Sequence, residues 1–232
     1  MLHGAQKDLF DLSFDIPADC ARRLAANQAD IGIVPSAVLP ELGLEIIRGA
    51  GIAARGAVRS ILLVAKVPIR SIRKLALDAS SRTSVVLARI VLRDAYGITP
   101  ECITMRPDLP TMLEAADAGL VIGDPALRID PRQAPHIALD LGEEWTRMTG
   151  LPMVFAVWAG RKEVVTPDVV QAFRDSARFG LEHIEDIVVC ESEPRGFSRE
   201  FVREYFARYI VNELTAREYE GLEQFLELAA TI

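Results

Sequence analysis

The 232-residue sequence predicts an α/β protein folded as two lobes. Three observations carry that expectation. Short apolar strands alternate with amphipathic helical stretches through most of the chain, the pattern of packed α/β layers. Two apolar strands, near residues 59–66 and 152–159, bracket a middle third that has its own strand–helix alternation. Composition allows a sizeable core, with 50% apolar and 25% charged residues and a mean hydropathy of +0.19, values outside the range of disordered chains. A chain that leaves one lobe, builds a second and returns places a cleft at the junction, and such clefts are favoured ligand sites. The expected division is residues 1–66 with 152–232 in one lobe and 67–151 in the other.

Local pattern justifies each element in turn. Residues 18–27 form a short helix with Cys20 and Leu24 on one face, and Asp30-Ile-Gly-Ile-Val34 is a buried strand running into Pro35-Ser36. Residues 44–47 make a second short strand. Gly49, Gly51 and Gly56 then mark an irregular connection, too sparse for a dinucleotide fingerprint. Residues 59–65 are a buried strand that Val67-Pro68 ends. The pattern restarts with a strand at 75–77, a helix at 84–96, a strand at 102–105, a helix at 110–116, a strand at 118–122 and short helices at 125–129 and 142–148. Residues 153–158 form the second long apolar strand. From Thr166 onward the chain reads as helical, in segments near 167–187, 199–209 and 216–229. Thr166-Pro167-Asp168 starts the first of these with proline in the first turn.

Charge and cysteine usage exclude several classes. The formal charge is −7, and the largest basic cluster is Arg70-Ser-Ile-Arg-Lys74, far short of the basic face of a nucleic-acid binder. Three widely spaced cysteines (Cys20, Cys102, Cys190) and three histidines (His3, His136, His183) match neither a disulfide framework nor a metal site. The N-terminus lacks a secretory apolar segment, and no apolar run reaches membrane-spanning length. The expectation is a soluble cytoplasmic protein without a metal. Oligomeric state is not readable.

The most telling stretch is Leu75-Ala-Leu-Asp-Ala-Ser80-Ser81-Arg82-Thr83-Ser84, where an apolar strand passes through a hydroxyl-rich turn into a helix. Unpaired backbone N–H groups at a helix start, together with the positive end of the helix dipole, suit an anion. Ser80, Ser81, Thr83 and Ser84 add hydroxyl donors there. A small carboxylate or phosphate fits that arrangement; a helix cap alone would account for one of the hydroxyls. Ser36, just beyond its strand, reads either as a ligand contact or as a turn residue. Ser60 reads as a cleft-facing residue or a polar strand end. Asp124 reads as a partly buried site carboxylate or as the cap of the helix beginning at Pro125.

Six stretches in order carry a family likeness: Ala29-Asp-Ile-Gly-Ile-Val-Pro-Ser36, Gly56-Ala-Val-Arg-Ser-Ile-Leu-Leu63, Asp78-Ala-Ser-Ser-Arg-Thr-Ser84, Ala118-Gly-Leu-Val-Ile-Gly-Asp124, Asp140-Leu-Gly-Glu-Glu-Trp145 and Thr149-Gly-Leu-Pro-Met-Val-Phe-Ala-Val-Trp158. Together they span nearly the whole chain, which resembles the chorismate dehydratase family of the futalosine route to menaquinone. The resemblance implies the fold of type II periplasmic solute-binding proteins, two α/β lobes around a central cleft. It also implies a cofactor-free hydro-lyase that converts chorismate to 3-[(1-carboxyvinyl)oxy]benzoate and water. A ring proton next to the enolpyruvyl ether is abstracted, the neighbouring hydroxyl leaves, and aromatisation drives the reaction.

On that basis Thr83 and Ser84, with Ser80 beside them, would bind one carboxylate of the dianionic substrate. Ser36 would hold the second carboxylate or the enolpyruvyl group, Ser60 would face the ligand, and Asp124 would position the leaving hydroxyl. The family's opening strand carries a Tyr-Leu-Asn motif whose asparagine is implicated in proton abstraction, and Met1-Leu-His-Gly aligns with the segment downstream of it. The expectation is therefore an N-terminally incomplete chain, weak or inactive as written, with no catalytic residue assigned. A dihydroxynaphthoate-forming synthase of similar fold has an Ile-His-Glu segment where this chain reads Ile122-Gly123-Asp124, which argues against that activity. A solute-binding protein or a non-catalytic sensor for a small aromatic carboxylate is the alternative.

Overall fold

The computed structural model describes residues 4–15, 17–78, 81–131 and 135–232. In chain order the elements are α1 (Pro17–Ala25), β1 (Ile31–Pro35), α2 (Leu39–Leu42), β2 (Glu45–Ala54), β3 (Ile61–Ala65), β4 (Lys74–Asp78), α3 (Arg82–Asp94), β5 (Glu101–Met105), α4 (Leu109–Ala115), β6 (Ala118–Ile122), α5 (Asp124–Leu127), β7 (Ile137–Asp140), α6 (Leu141–Thr149), β8 (Met153–Gly160), α7 (Pro167–Glu182), α8 (Ile184–Arg195), α9 (Arg199–Glu204), β9 (Val211–Glu213) and α10 (Ala216–Ala229). They fall into two compact units. One holds residues 1–53 and 154–219, the other 54–153 and 220–232.

The first unit is built on a four-stranded sheet of order β1-β8-β2-β9. β1 pairs antiparallel with β8, Ile33 opposite Trp158. Of the glycines expected to interrupt the chain after residue 47, Gly49 and Gly51 instead lie inside β2, which runs ten residues, and Gly56 follows it. Close packing explains them: a Cβ at Gly51 would come within 2.6 Å of Leu214 Cδ1 and 2.8 Å of the Ala156 carbonyl oxygen. A glycine inside a strand here marks close backbone approach rather than a break. The C-terminal third is not all helix either, because β9 pairs with β2. The helix expected over 167–187 divides at His183, whose backbone (φ −111°, ψ 29°) leaves the helical region.

The second unit is built on a five-stranded sheet of order β5-β4-β6-β3-β7. β4 runs parallel to β5 and β6, whereas β3 runs antiparallel to both β6 and β7. Every residue of β3 is buried, as its unbroken Ile-Leu-Leu-Val-Ala run requires for a strand covered on both faces. The two apolar strands expected to bracket a lobe therefore have different roles: β3 lies within the second sheet and β8 in the first. β7 has no counterpart among the expected elements. It is a four-residue edge strand, too short for a periodic signal.

α10 completes the second core. Trp145 and Phe225, both buried, meet edge-to-face with ring centroids 6.0 Å apart. The Trp145 indole N–H donates to the Pro152 carbonyl at 3.1 Å, the partner that a buried indole needs. Arg93 Nη1 donates to the Thr231 carbonyl (3.0 Å) and hydroxyl (2.8 Å), tying the chain end to α3.

Candidate functional site

In an open α/β sheet, ligands gather beyond the carboxyl ends of the parallel strands. The register of the second sheet brings several of the sequence-derived residues to that edge. β4 and β6 end on the same side, and β3 begins there, with Ile61 opposite Ile122. The Gly123 amide donates to the Ser60 carbonyl at 2.8 Å, so Ser60 adjoins the Gly123–Asp124 corner. α3 starts just past β4, and Asp140, paired opposite Leu62 one residue into β3, ends β7 on the same side.

The turn into α3 differs from expectation in detail. The helix begins at Arg82, two residues earlier than its apolar period suggests, because Ser81 is the cap. Ser81 Oγ accepts from the Ser84 amide at 3.3 Å and donates to Ser84 Oγ at 2.8 Å. One hydroxyl of the cluster is thus engaged with the helix itself, and Ser84 is its partner. Thr83 and Ser84 are each 2% exposed. Ser80 lies outside the described residues.

Asp124 is half-buried and is the first residue of α5 rather than its cap. The cap position belongs to Gly123, whose backbone (φ 65°, ψ −146°) is open to glycine alone. Ser60 is 8% exposed. Ser36 belongs to the first unit, just past β1, and is fully buried. Its hydroxyl donates to the Val154 carbonyl at 2.7 Å, so its proton is committed to the main chain.

Two carboxylates at this edge escaped the sequence reading. Asp78, the last residue of β4, is buried. Asp140 is buried and accepts from the Gly142 (3.0 Å) and Glu143 (3.2 Å) amides at the start of α6. It also accepts from Val58 (3.0 and 3.1 Å) and Arg59 (2.6 Å). Burial pushes its carboxyl above the ordinary value, opposed by those backbone N–H bonds. The acidic ends of otherwise apolar stretches, Leu75-Ala-Leu-Asp78 and Ile137-Ala-Leu-Asp140, were the signal that could have found them.

Hydroxyls, a helix N-terminus and carboxylates thus lie along one edge of the second sheet, a set of groups whose chemistry suits an anion and a hydroxyl. Among the described residues no group of three or more His, Cys, Asp or Glu side chains could hold a metal ion. No helix among them is long and apolar enough to cross a membrane. An apolar cavity of about 260 Å³ in the first unit, bordered by Trp158, Phe173 and Phe206, contains no charged side chain and is a poor match for an anion.

In fold the chain resembles solute-binding proteins. The periplasmic aliphatic sulphonate binding protein of Escherichia coli superposes over 94% of this chain and 75% of its own, with TM-score 0.60 at 14% identity. A crystal structure of an Archaeoglobus fulgidus protein covers 94% of this chain and 84% of its own, with TM-score 0.72 at 21% identity. A family profile described as menaquinone biosynthesis matches residues 1–231, and the chain belongs to that family. A chorismate dehydratase from Thermus thermophilus is 28% identical over 243 aligned residues, spanning 97% of this chain and 89% of that enzyme.

Proposed function

We propose that this protein is a hydro-lyase that converts chorismate to 3-[(1-carboxyvinyl)oxy]benzoate and water. The observation that carries the reading is the likeness, along 97% of the chain, to a chorismate dehydratase. The polar edge of the second sheet supports it, since the substrate is a dianion and the reaction loses a hydroxyl. In this reading Ser60, Thr83 and Ser84, with Ser80, hold a substrate carboxylate at the start of α3. Asp124 accepts the hydrogen of the ring hydroxyl and fixes its orientation; the hydroxyl departs with the proton taken from the ring carbon, together as water. Ser36 is left out of the contact set because its proton already goes to the Val154 carbonyl. The chemistry is a proton taken from carbon, a C–O bond broken and an aromatic ring formed. The protein's part is therefore orientation, with hydroxyl and helix N-terminal N–H donors for the carboxylate.

The test is direct. The purified protein is incubated with chorismate, and the ring-diene absorbance is followed while products are resolved by chromatography and mass. Loss of the diene, slow in keeping with the missing asparagine, with appearance of a benzoate one water lighter is the expected result. Chorismate bound in calorimetry yet unchanged would make the protein a sensor or carrier. Neither binding nor turnover would overturn the reading.

A further inference from the structure

Asp140 makes more bonds than a helix cap requires. Capping α6 needs acceptance from one or two amides, and Gly142 and Glu143 supply them. The same carboxylate also takes the amides of Val58, at both oxygens, and of Arg59, at 2.6 Å. Arg59 is held at φ 65°, the left-handed region that a side chain other than glycine enters at a cost. The next residue is Ser60, whose carbonyl takes the Gly123 amide at 2.8 Å beside Asp124. A buried anion thus fixes a strained corner, and the strained corner sets the residue at the polar edge of the sheet.

We propose that Asp140 is a positioning residue: its carboxylate clamps the Val58 and Arg59 amides and so presents Ser60 to the substrate. The inference rests on the proposed reading of this edge as the substrate site. A strained backbone persists only where its surroundings over-determine it, and four backbone amides on one carboxylate do that. Asparagine at 140 keeps the size and one acceptor oxygen but puts an NH2 group where the second acceptor stood. Glycine at 59 removes the penalty that the clamp opposes.

Two measurements separate the clamp from the site. Hydrogen exchange is followed at the amides of residues 58–60 and 62–64. In Asp140→Asn the first group should lose roughly tenfold more protection than the second, and Arg59→Gly in that background should restore most of it. Equal losses in both groups would mean a merely structural role and overturn the clamp. Binding of the benzoate product is then measured for wild type, Asp140→Asn, Ser60→Ala and the double variant. Positioning through Ser60 predicts that each single change weakens binding by roughly tenfold, and that the double variant is no weaker than Ser60→Ala alone. Additive losses would overturn the assignment of Asp140 to Ser60. Absence of product binding in the wild type would instead sink the substrate reading, and the exchange result would still decide the clamp.

Discussion

At the residue scale, the hydroxyl cluster before α3 divides its work. Ser81 caps the helix, and Ser81→Ala should cost about 1 kcal/mol of stability, read as a lower Tm. The functional claim falls on Thr83 and Ser84. Replacing both with alanine should weaken binding of chorismate or its benzoate product by about 1–3 kcal/mol if both hydroxyls meet a carboxylate. An unchanged dissociation constant in calorimetry would leave the cluster with capping alone. The site was partly legible in the sequence because several hydroxyls at a strand-to-helix turn imply anion binding or capping through their chemistry alone. Which serine caps was not legible, since Ser80, Ser81 and Ser84 are all competent cap residues and only backbone geometry selects Ser81. Asp140 was invisible as a clamp because its partners, Val58 and Arg59, lie some eighty residues away in sequence.

At the element scale, strands of unbroken apolar sequence and long helical segments were readable, as β3, β6 and α10 illustrate. Elements fixed by tertiary contact were not. β9 has three residues and exists because β2 accepts it, and the length of β2 is concealed by glycines that packing demands. Asp117, just before β6, is another such device. Its Oδ2 accepts from the Arg73 (2.9 Å) and Lys74 (3.0 Å) amides and so anchors the entry of β4 at the edge opposite the proposed site. Those backbone bonds, Arg73 first, hold its carboxyl below the usual range. A depressed folded-state pKa gives stability that is present above the unfolded value, about 3.9, and lost as pH falls through the folded one. Asp117→Asn should therefore be less stable than wild type at neutral pH, with the gap closing in acid below that value. Chemical denaturation at several pH values checks this, and a gap independent of pH would refute it. Ligand binding should be unaffected.

At the scale of the whole molecule, the chain passes between its units three times, and the last passage, inside α10, places the helix from residue 220 onward in the second. The division explains why a protein whose proposed site lies mainly on residues 60–124 should depend on its last turns. Gly221 packs so closely that a Cβ there would overlap the Pro152 carbonyl oxygen. Leu222 and Phe225 are buried, Phe225 against Trp145. Phe225→Ala should cost about 3–5 kcal/mol, a large share of the 5–15 kcal/mol that holds a typical domain folded. Deleting residues 220–232 removes the whole contact, together with the bonds from Arg93 to Thr231. Hydrogen exchange should then show lost protection across β3, β4 and β6, while β1 and β8 keep theirs, because their sheet belongs to the other unit. Uniform loss in both sheets would mean that the units unfold as one. Undisturbed protection in β3 would mean that α10 is an accessory to the core instead of part of it.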